Sequence, residues 1–319
     1  MKSENSNSCR LGTVGGSAVI EGVMMKSKTT VALSVRQQDG NIFTETSPSK
    51  TIKTKYPFFN APILRGIVNF IESMILSFKT LTRSADLLGI EEEPSKFEIW
   101  LEKKLGKSAA AIASFIGTVI GLALSVLLFM YLPALVSDLF DKIYYNPVLK
   151  SIIEGVIKLV IFIGYIYFVG LIPDMKRVFE YHGAEHKSIF CYENGLELTV
   201  ENVKKQSRFH PRCGTSFMFV MIFIGIISSI FYITLPRIPR VIVKILLLPL
   251  IVGIGYEFIK FSGTRNGFIT RLLTLPGLLV QRLTTKEPSD LQIEVAIASL
   301  KASLPDEFSV QTDSGSAEN

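Results

Sequence analysis

Residues 108–132 read SAAAIASFIGTVIGLALSVLLFMYL, a run without a charged side chain, and Pro133 lies directly beyond it. About 20 consecutive apolar residues in a helix cross the hydrocarbon of a bilayer. The run is long enough, so it predicts a membrane-crossing helix ended by the proline. Working outward, three more runs share this character: 152–172, closed by Pro173, then 215–235 and 241–261. Only PRIPR, residues 236–240, separates the last two, which predicts a tight helical hairpin over 215–261. The expected fold class is mainly α, a polytopic membrane protein with about four transmembrane helices.

The composition agrees. Of 319 residues 48% are hydrophobic and the mean hydropathy is +0.37, more apolar material than a soluble chain of this length needs. The formal charge is +6. In a membrane protein such an excess sits in cytoplasmic loops that face anionic lipid headgroups. It does not imply nucleic acid, because no basic run is interleaved with the aromatic residues that single-strand binding uses. Three cysteines, Cys9, Cys191 and Cys213, make no disulfide framework and fit a reducing compartment where a thiolate stays free to bind metal. The polar start MKSENSNSCRLGTVGG lacks the apolar centre of a signal peptide.

Basic residues set the expected orientation. Lys96, Lys103, Lys104 and Lys107 precede the first run. Lys176, Arg177, Lys187, Lys204, Lys205, Arg208 and Arg212 lie between the second and third, and Arg265, Arg271, Arg282 and Lys286 follow the fourth. The opposite connections are poorer: Lys142 and Lys150 are balanced by Asp138 and Asp141, and the short link carries only Arg237 and Arg240. The expected localisation is the cell membrane, multi-pass, with both termini and the 173–214 loop cytoplasmic.

Outside the spans, residues 1–14 read as a flexible start and 15–50 as a small antiparallel sheet of three strands. SAVIEGVMM (17–25) and TTVALSVRQ (29–37) are β-branched-rich, and Asp39-Gly40 is a hairpin-type turn before NIFTET. In 58–84, Ile63, Ile67, Ile71, Met74 and Phe78 recur at helical spacing, opposed by Arg65, Asn69, Glu72 and Lys79. That predicts an amphipathic helix lying in the interface or re-entering the membrane, since Arg65 and Glu72 would be costly in a full crossing. Residues 265–304 hold a second amphipathic stretch, broken at Pro276-Gly277, and a C-terminal helix; 305–319 is a polar, disordered tail.

All three histidines fall in the central loop, in FEYHGAEHKSIFCYENG (179–195) and RFHPRCGTSF (208–217). Pro173-Asp174 and Asn194-Gly195 are helix start and stop signals, so His182 and His186 project from one helical face, a spacing that lets two imidazoles ligate one metal ion. Glu185 completes His-x-x-Glu-His, the order in which a glutamate activates water beside zinc. His210 and Cys213 form a His-x-x-Cys turn suited to a third and fourth ligand. Imidazole and thiolate together favour zinc, with iron or cobalt as alternatives. The bland reading is an exposed histidine pair on a helix that Gly183 weakens, and a capped turn leading into the third run. Arg208 and Arg212 beside the turn are suited to phosphate headgroups. Glu257 is a possible further ligand or a partner for Lys260, and Glu193, two turns beyond the pair, is a weaker one. Cys191 reads as a small buried thiol, and Glu154 lies at the far end of the second run. No run shows paired ionisable residues, which argues against a transporter.

GGSAVIEGVMM, APILRGIVNFIES, EYHGAEHKSIFCYE, RFHPRCGTSF and QRLTTKEPSDLQIEVAIASL together resemble the YqhQ-like bacterial membrane proteins, a similarity that covers about Gly12 to Leu304. The resemblance implies a domain of unknown function described as a predicted metal-dependent enzyme, and it carries over His182, His186, His210 and Cys213. It names no substrate, protein partner or oligomeric state.

Two functions follow as expectations. One is a membrane-associated metallohydrolase with Glu185 as catalytic base and zinc on His182, His186 and His210. The other is a non-enzymatic assembly or scaffold factor in which Cys213 closes a four-ligand structural site.

Overall fold

The computed structural model describes residues 10–89, 109–140, 146–262 and 268–308. Cys9, the start of the chain before residue 10, the tail after 308, the basic residues ahead of the first run and Arg265 lie outside them.

The N-terminal sheet has four strands, not three: β1 Gly15–Val19, β2 Gly22–Lys26, β3 Thr30–Arg36 and β4 Ile42–Pro48, an antiparallel meander in the order β1-β2-β3-β4. SAVIEGVMM is not one strand because Ile20-Glu21 folds back as a two-residue hairpin, with Glu21 at φ 51°. Alternation along the strands gives each face its own partner. Val23 and Met25 point into one core with Tyr181, Ala184 and Ile293, while Val19, Met24, Leu33 and Val35 meet Leu76, Leu87 and Leu88 on the other side.

Seven longer helices are named here as α1 Leu64–Leu87, α2 Ala109–Val126, α3 Pro147–Val169, α4 Pro173–Glu193, α5 Gly214–Ser229, α6 Arg237–Ser262 and α7 Phe268–Thr284. The C-terminal α8, Asp290–Ser303, begins with a Ser289–Gln292 capping box and packs on the sheet and α4. Helix α1 covers the other sheet face and crosses α6, where Gly66 lies against Tyr256 and Gly253 against Ile63. Contact of this closeness leaves no room for a Cβ on either glycine.

Among the described residues three helices are long and apolar enough to cross a membrane: Phe115–Leu139, Pro147–Val169 and Arg237–Lys260. Pro133 does not end the first. A π-helical turn at Leu127–Tyr131 carries the chain past the proline into a further helix, Leu132–Leu139. The wider turn absorbs the ring and the missing N–H that would break a regular helix. The second begins earlier than expected because Asn146 caps it, accepting from the Val148 and Leu149 amides at 2.8 and 3.3 Å. The third run forms a helix only to Ser229, 16 residues, and 230–235 turns back. The buried Arg240 guanidinium holds that turn by donating to the Ile233 carbonyl at 3.0 Å. Helix α7 runs on through Pro276 and is not broken there; Gly277 lets it press on Ser216 of α5.

The membrane-length helices do carry paired ionisable residues, contrary to expectation. Asp138 accepts from Arg240 at 2.7 Å and Arg237 at 2.9 Å and pairs with Lys150 at 3.0 Å, while Glu154 pairs with Lys244. The charges are scattered over the 152–172 and 241–261 runs and the residues flanking them; the fold brings them together.

Candidate metal centre

Helix α4 starts after the Gly170-Leu171-Ile172 break at the end of α3 and stops at Asn194, with Gly195 at φ 70°. Its middle is buried on three sides. Strand β1 passes over Glu185, so close that a Cβ on Gly16 would lie 2.9 Å from Glu185 Cγ. Glu21 holds that strand down, pairing with Arg177 and accepting from Tyr181 Oη at 3.2 Å. On another side the segment after α7 crosses α4 at Gly183, where an added Cβ would sit 2.0 Å from the Lys286 carbonyl oxygen. Gly183, which on its own only weakens the helix, is what admits this crossing.

The crossing and the 208–213 turn orient the two histidines. His182 Nδ1–H donates to the Thr284 carbonyl at 2.9 Å, and His186 Nδ1–H donates to the Arg208 carbonyl at 2.6 Å. Fixing Nδ1 as the donor leaves Nε2 of each ring as the free lone pair, the usual way a protein presets imidazole ligands. Cys213 Sγ lies 3.3 Å from His182 Nε2, and one donor atom from each of His182, His186 and Cys213 falls within 4.8 Å of the others. Cys213 is the N-cap of α5 and accepts from Thr215 Oγ1 at 3.4 Å, so a negative sulfur would rest at the positive end of a helix. Two imidazoles and a thiolate fit zinc in both chemistry and spacing.

His210 is near but turned elsewhere. Its ring centroid lies 5.6 Å from that of His186, yet Nδ1 accepts from the Arg212 amide at 3.3 Å and Nε2–H donates to Glu193 at 3.4 Å. Glu193 is itself saturated by the Gly12 amide at 2.9 Å and Arg212 Nη2 at 2.5 Å. Burial works against the Glu193 carboxylate, but His210, Gly12 and Arg212 overcome it and hold its pKa below the ordinary value. Arg212 is thereby spent on Glu193, and Arg208 donates to the Thr285 carbonyl at 3.3 Å. Glu257 belongs to another structure: it pairs with Arg65, with Arg65 Nε at 2.6 Å, and accepts from the Ile63 amide at 3.4 Å, so it caps α1. Cys191 is buried and donates to the Glu197 carbonyl at 3.4 Å.

Glu185 is 5% exposed and has no hydrogen-bond partner among the described residues. Burial pushes its carboxyl up to about 7, against the pull of His182 one turn away. His186 is shifted down, mainly by burial.

The family described as "Protein of unknown function (DUF1385)" matches residues 61–306. The chain belongs to the DUF1385 family. It is 39% identical over 287 residues to the "Uncharacterized protein YqhQ" of Bacillus subtilis (strain 168), covering 89% of this chain and 90% of that one. No solved structure matches it. Thr284, the last residue of α7, places His182 through its carbonyl. A histidine's orienting carbonyl 102 residues away leaves no trace in sequence spacing.

Proposed function

We propose that the chain is a multi-pass cell-membrane metallohydrolase whose zinc, or iron or cobalt, is held by His182, His186 and Cys213, with Glu185 as general base. Both termini and the metal centre face the cytoplasm in this reading, and α5 enters the membrane as a fourth, shorter span beside α3, α6 and α7. The exposed face of α1, with Ile71, Met74, Ile75 and Phe78, lies on the bilayer, and Lys26, Lys50, Lys55 and Lys79 beside it face anionic headgroups.

The observation that carries the reading is the pair of backbone carbonyls that aim His182 and His186 at Cys213 while His210 is engaged with Glu193. Three protein ligands leave a position open, the arrangement of catalytic rather than structural zinc. Zinc there would make a water acidic and polarise a carbonyl. Glu185, dry and unpaired, accepts a proton from the attacking water on a carboxylate oxygen and returns it to the leaving group. The half-exposed flank at His182 and Cys213 lies beside α5, so the substrate class is an ester or amide presented at the membrane surface, either a lipid ester or a membrane-near peptide bond.

The test is elemental analysis of purified protein together with mass spectrometry of products released from bacterial membrane extract. Glu185→Gln is expected to keep equimolar metal and lose product formation at least about 100-fold, the scale of a lost general base. Unchanged product release by that variant would sink the enzyme reading.

The 5.6 Å approach of the His186 and His210 rings supports one alternative, a closed structural zinc site in a scaffold protein. His210→Ala separates the two. Metal retained within about threefold fits the open centre, and loss of 10-fold or more fits the closed one.

A further inference from the structure

At the other end of α3 from the metal centre, three polar side-chain atoms are buried and without a hydrogen-bond partner among the described residues: Ser151 Oγ, Glu154 Oε2 and Arg240 Nε. They lie where α3 meets α6. Ser151, Glu154 and Lys158 follow one another at helical spacing along one side of α3, and Arg240 and Lys244 are one turn apart on α6. Arg240 is 0% exposed and Glu154 3%. Lys244 feels the charges of Glu154, Lys158 and Arg240 together, and Arg240 also pairs with Asp138, which Arg237 and Lys150 share, so these five cations face two carboxylates. Lys158 has no hydrogen bond or ion pair among the described residues. The Arg240 Nε–Glu154 Oε2 separation of 3.9 Å is too long for a hydrogen bond between them.

Buried charges at membrane depth are paired or mark a ligand path. Here the described groups leave cations in excess, and both unpartnered donors (Ser151 Oγ, which can also accept, and Arg240 Nε) suit an anion. The lone acceptor, Glu154 Oε2, suits a hydroxyl carried by the same molecule. We propose that the seat between α3 and α6 binds a phosphate ester bearing a free hydroxyl, held by Ser151, Lys158, Arg240 and Lys244, from the leaflet opposite the metal centre. Phosphatidylglycerol headgroups and free glycerol phosphate share that chemistry. The inference rests on the membrane reading of α2, α3 and α6 but not on the metal chemistry.

Full-length protein, delipidated in detergent, is examined by native mass spectrometry with phosphatidylglycerol, phosphatidylcholine and glycerol phosphate. Lys158→Met is the test variant because it keeps length and removes a side chain that anchors nothing described. Wild type is expected to hold one phosphatidylglycerol about tenfold more tightly than phosphatidylcholine, and Lys158→Met to lose that margin, as one charged contact would give. Saturable glycerol phosphate binding lost in Lys158→Met, without lipid preference, also supports the seat and identifies a free solute as the source. Equal binding of every probe by wild type and a folded Lys158→Met overturns it. Metal content measured on the same samples stays at the wild-type value in either outcome, and extraction of the protein without detergent would instead count against the membrane reading.

Discussion

Gly183→Ala is expected to lower metal occupancy about 10- to 100-fold although no ligand has been changed. The new methyl would sit 2.0 Å from the Lys286 carbonyl oxygen, which is backbone and cannot rotate away like a flexible side chain. The 284–288 segment must therefore lift from α4. It is tied there by the Lys286 amide donating to the Phe179 carbonyl at 2.8 Å and by Glu287 pairing with Lys187 of α4 at 2.5 Å. Lifting it removes the Thr284 carbonyl from His182 Nδ1, frees the ring to rotate, and allows the wrong tautomer. Loss of an orienting partner of this kind costs 10- to 100-fold in metal affinity, and forcing a methyl into a filled contact costs about 1–3 kcal/mol of stability. Zinc titration by competition with a chelator, and the thermal midpoint with and without metal, read the two effects separately. A variant that binds zinc as wild type does would show that the crossing does not orient His182.

How much of this was legible in sequence depends on how local each signal is. His182, Glu185 and His186 lie within five residues on one helix, so their spacing could be read directly. Cys213 was legible as a companion because proline and glycine around it mark a turn. The place of His210 was not, because it is set by Glu193 and Arg212, which meet it only after α4 and the turn have packed. The apolar runs identified the membrane-length helices, but their ends were misread wherever tertiary contacts outrank local rules. Pro133 should stop a helix, and the π-helical turn before it removes the reason. The run 215–235 looked long enough to cross, yet Arg240 captures the Ile233 carbonyl and bends the chain back six residues early. Glu257 read as a further ligand or a partner for Lys260, and its partner is Arg65, 192 residues away. The ionic cluster among the membrane-length helices was the least legible part. Lys244 and Glu154 are 90 residues apart and Arg240 and Asp138 are 102 apart, so each charge read alone resembles an ordinary interfacial side chain.

That distance in sequence is also why the cluster should dominate the stability of the helical part. Asp138→Ala is expected to destabilise the protein by about 3–5 kcal/mol, the cost of stranding a buried cation. Arg240 is fully buried and gives two of its contacts to carbonyls of Ile233 and Ala134, so it cannot swing into water once Asp138 is gone. Arg237 and Lys150 lose the same acceptor, but they are partly exposed and can turn outward, so the loss is concentrated on Arg240. The double variant Asp138→Ala/Arg240→Met makes the argument testable, because it removes the stranded charge as well as its partner. If the penalty is the unpaired guanidinium, the double variant recovers more than half of the loss, measured as the unfolding midpoint in detergent. If the penalty is instead the lost tie between α6 and the 132–139 helix, the two variants unfold alike. Recovery would mean that the pair sets which helices meet rather than how tightly they hold.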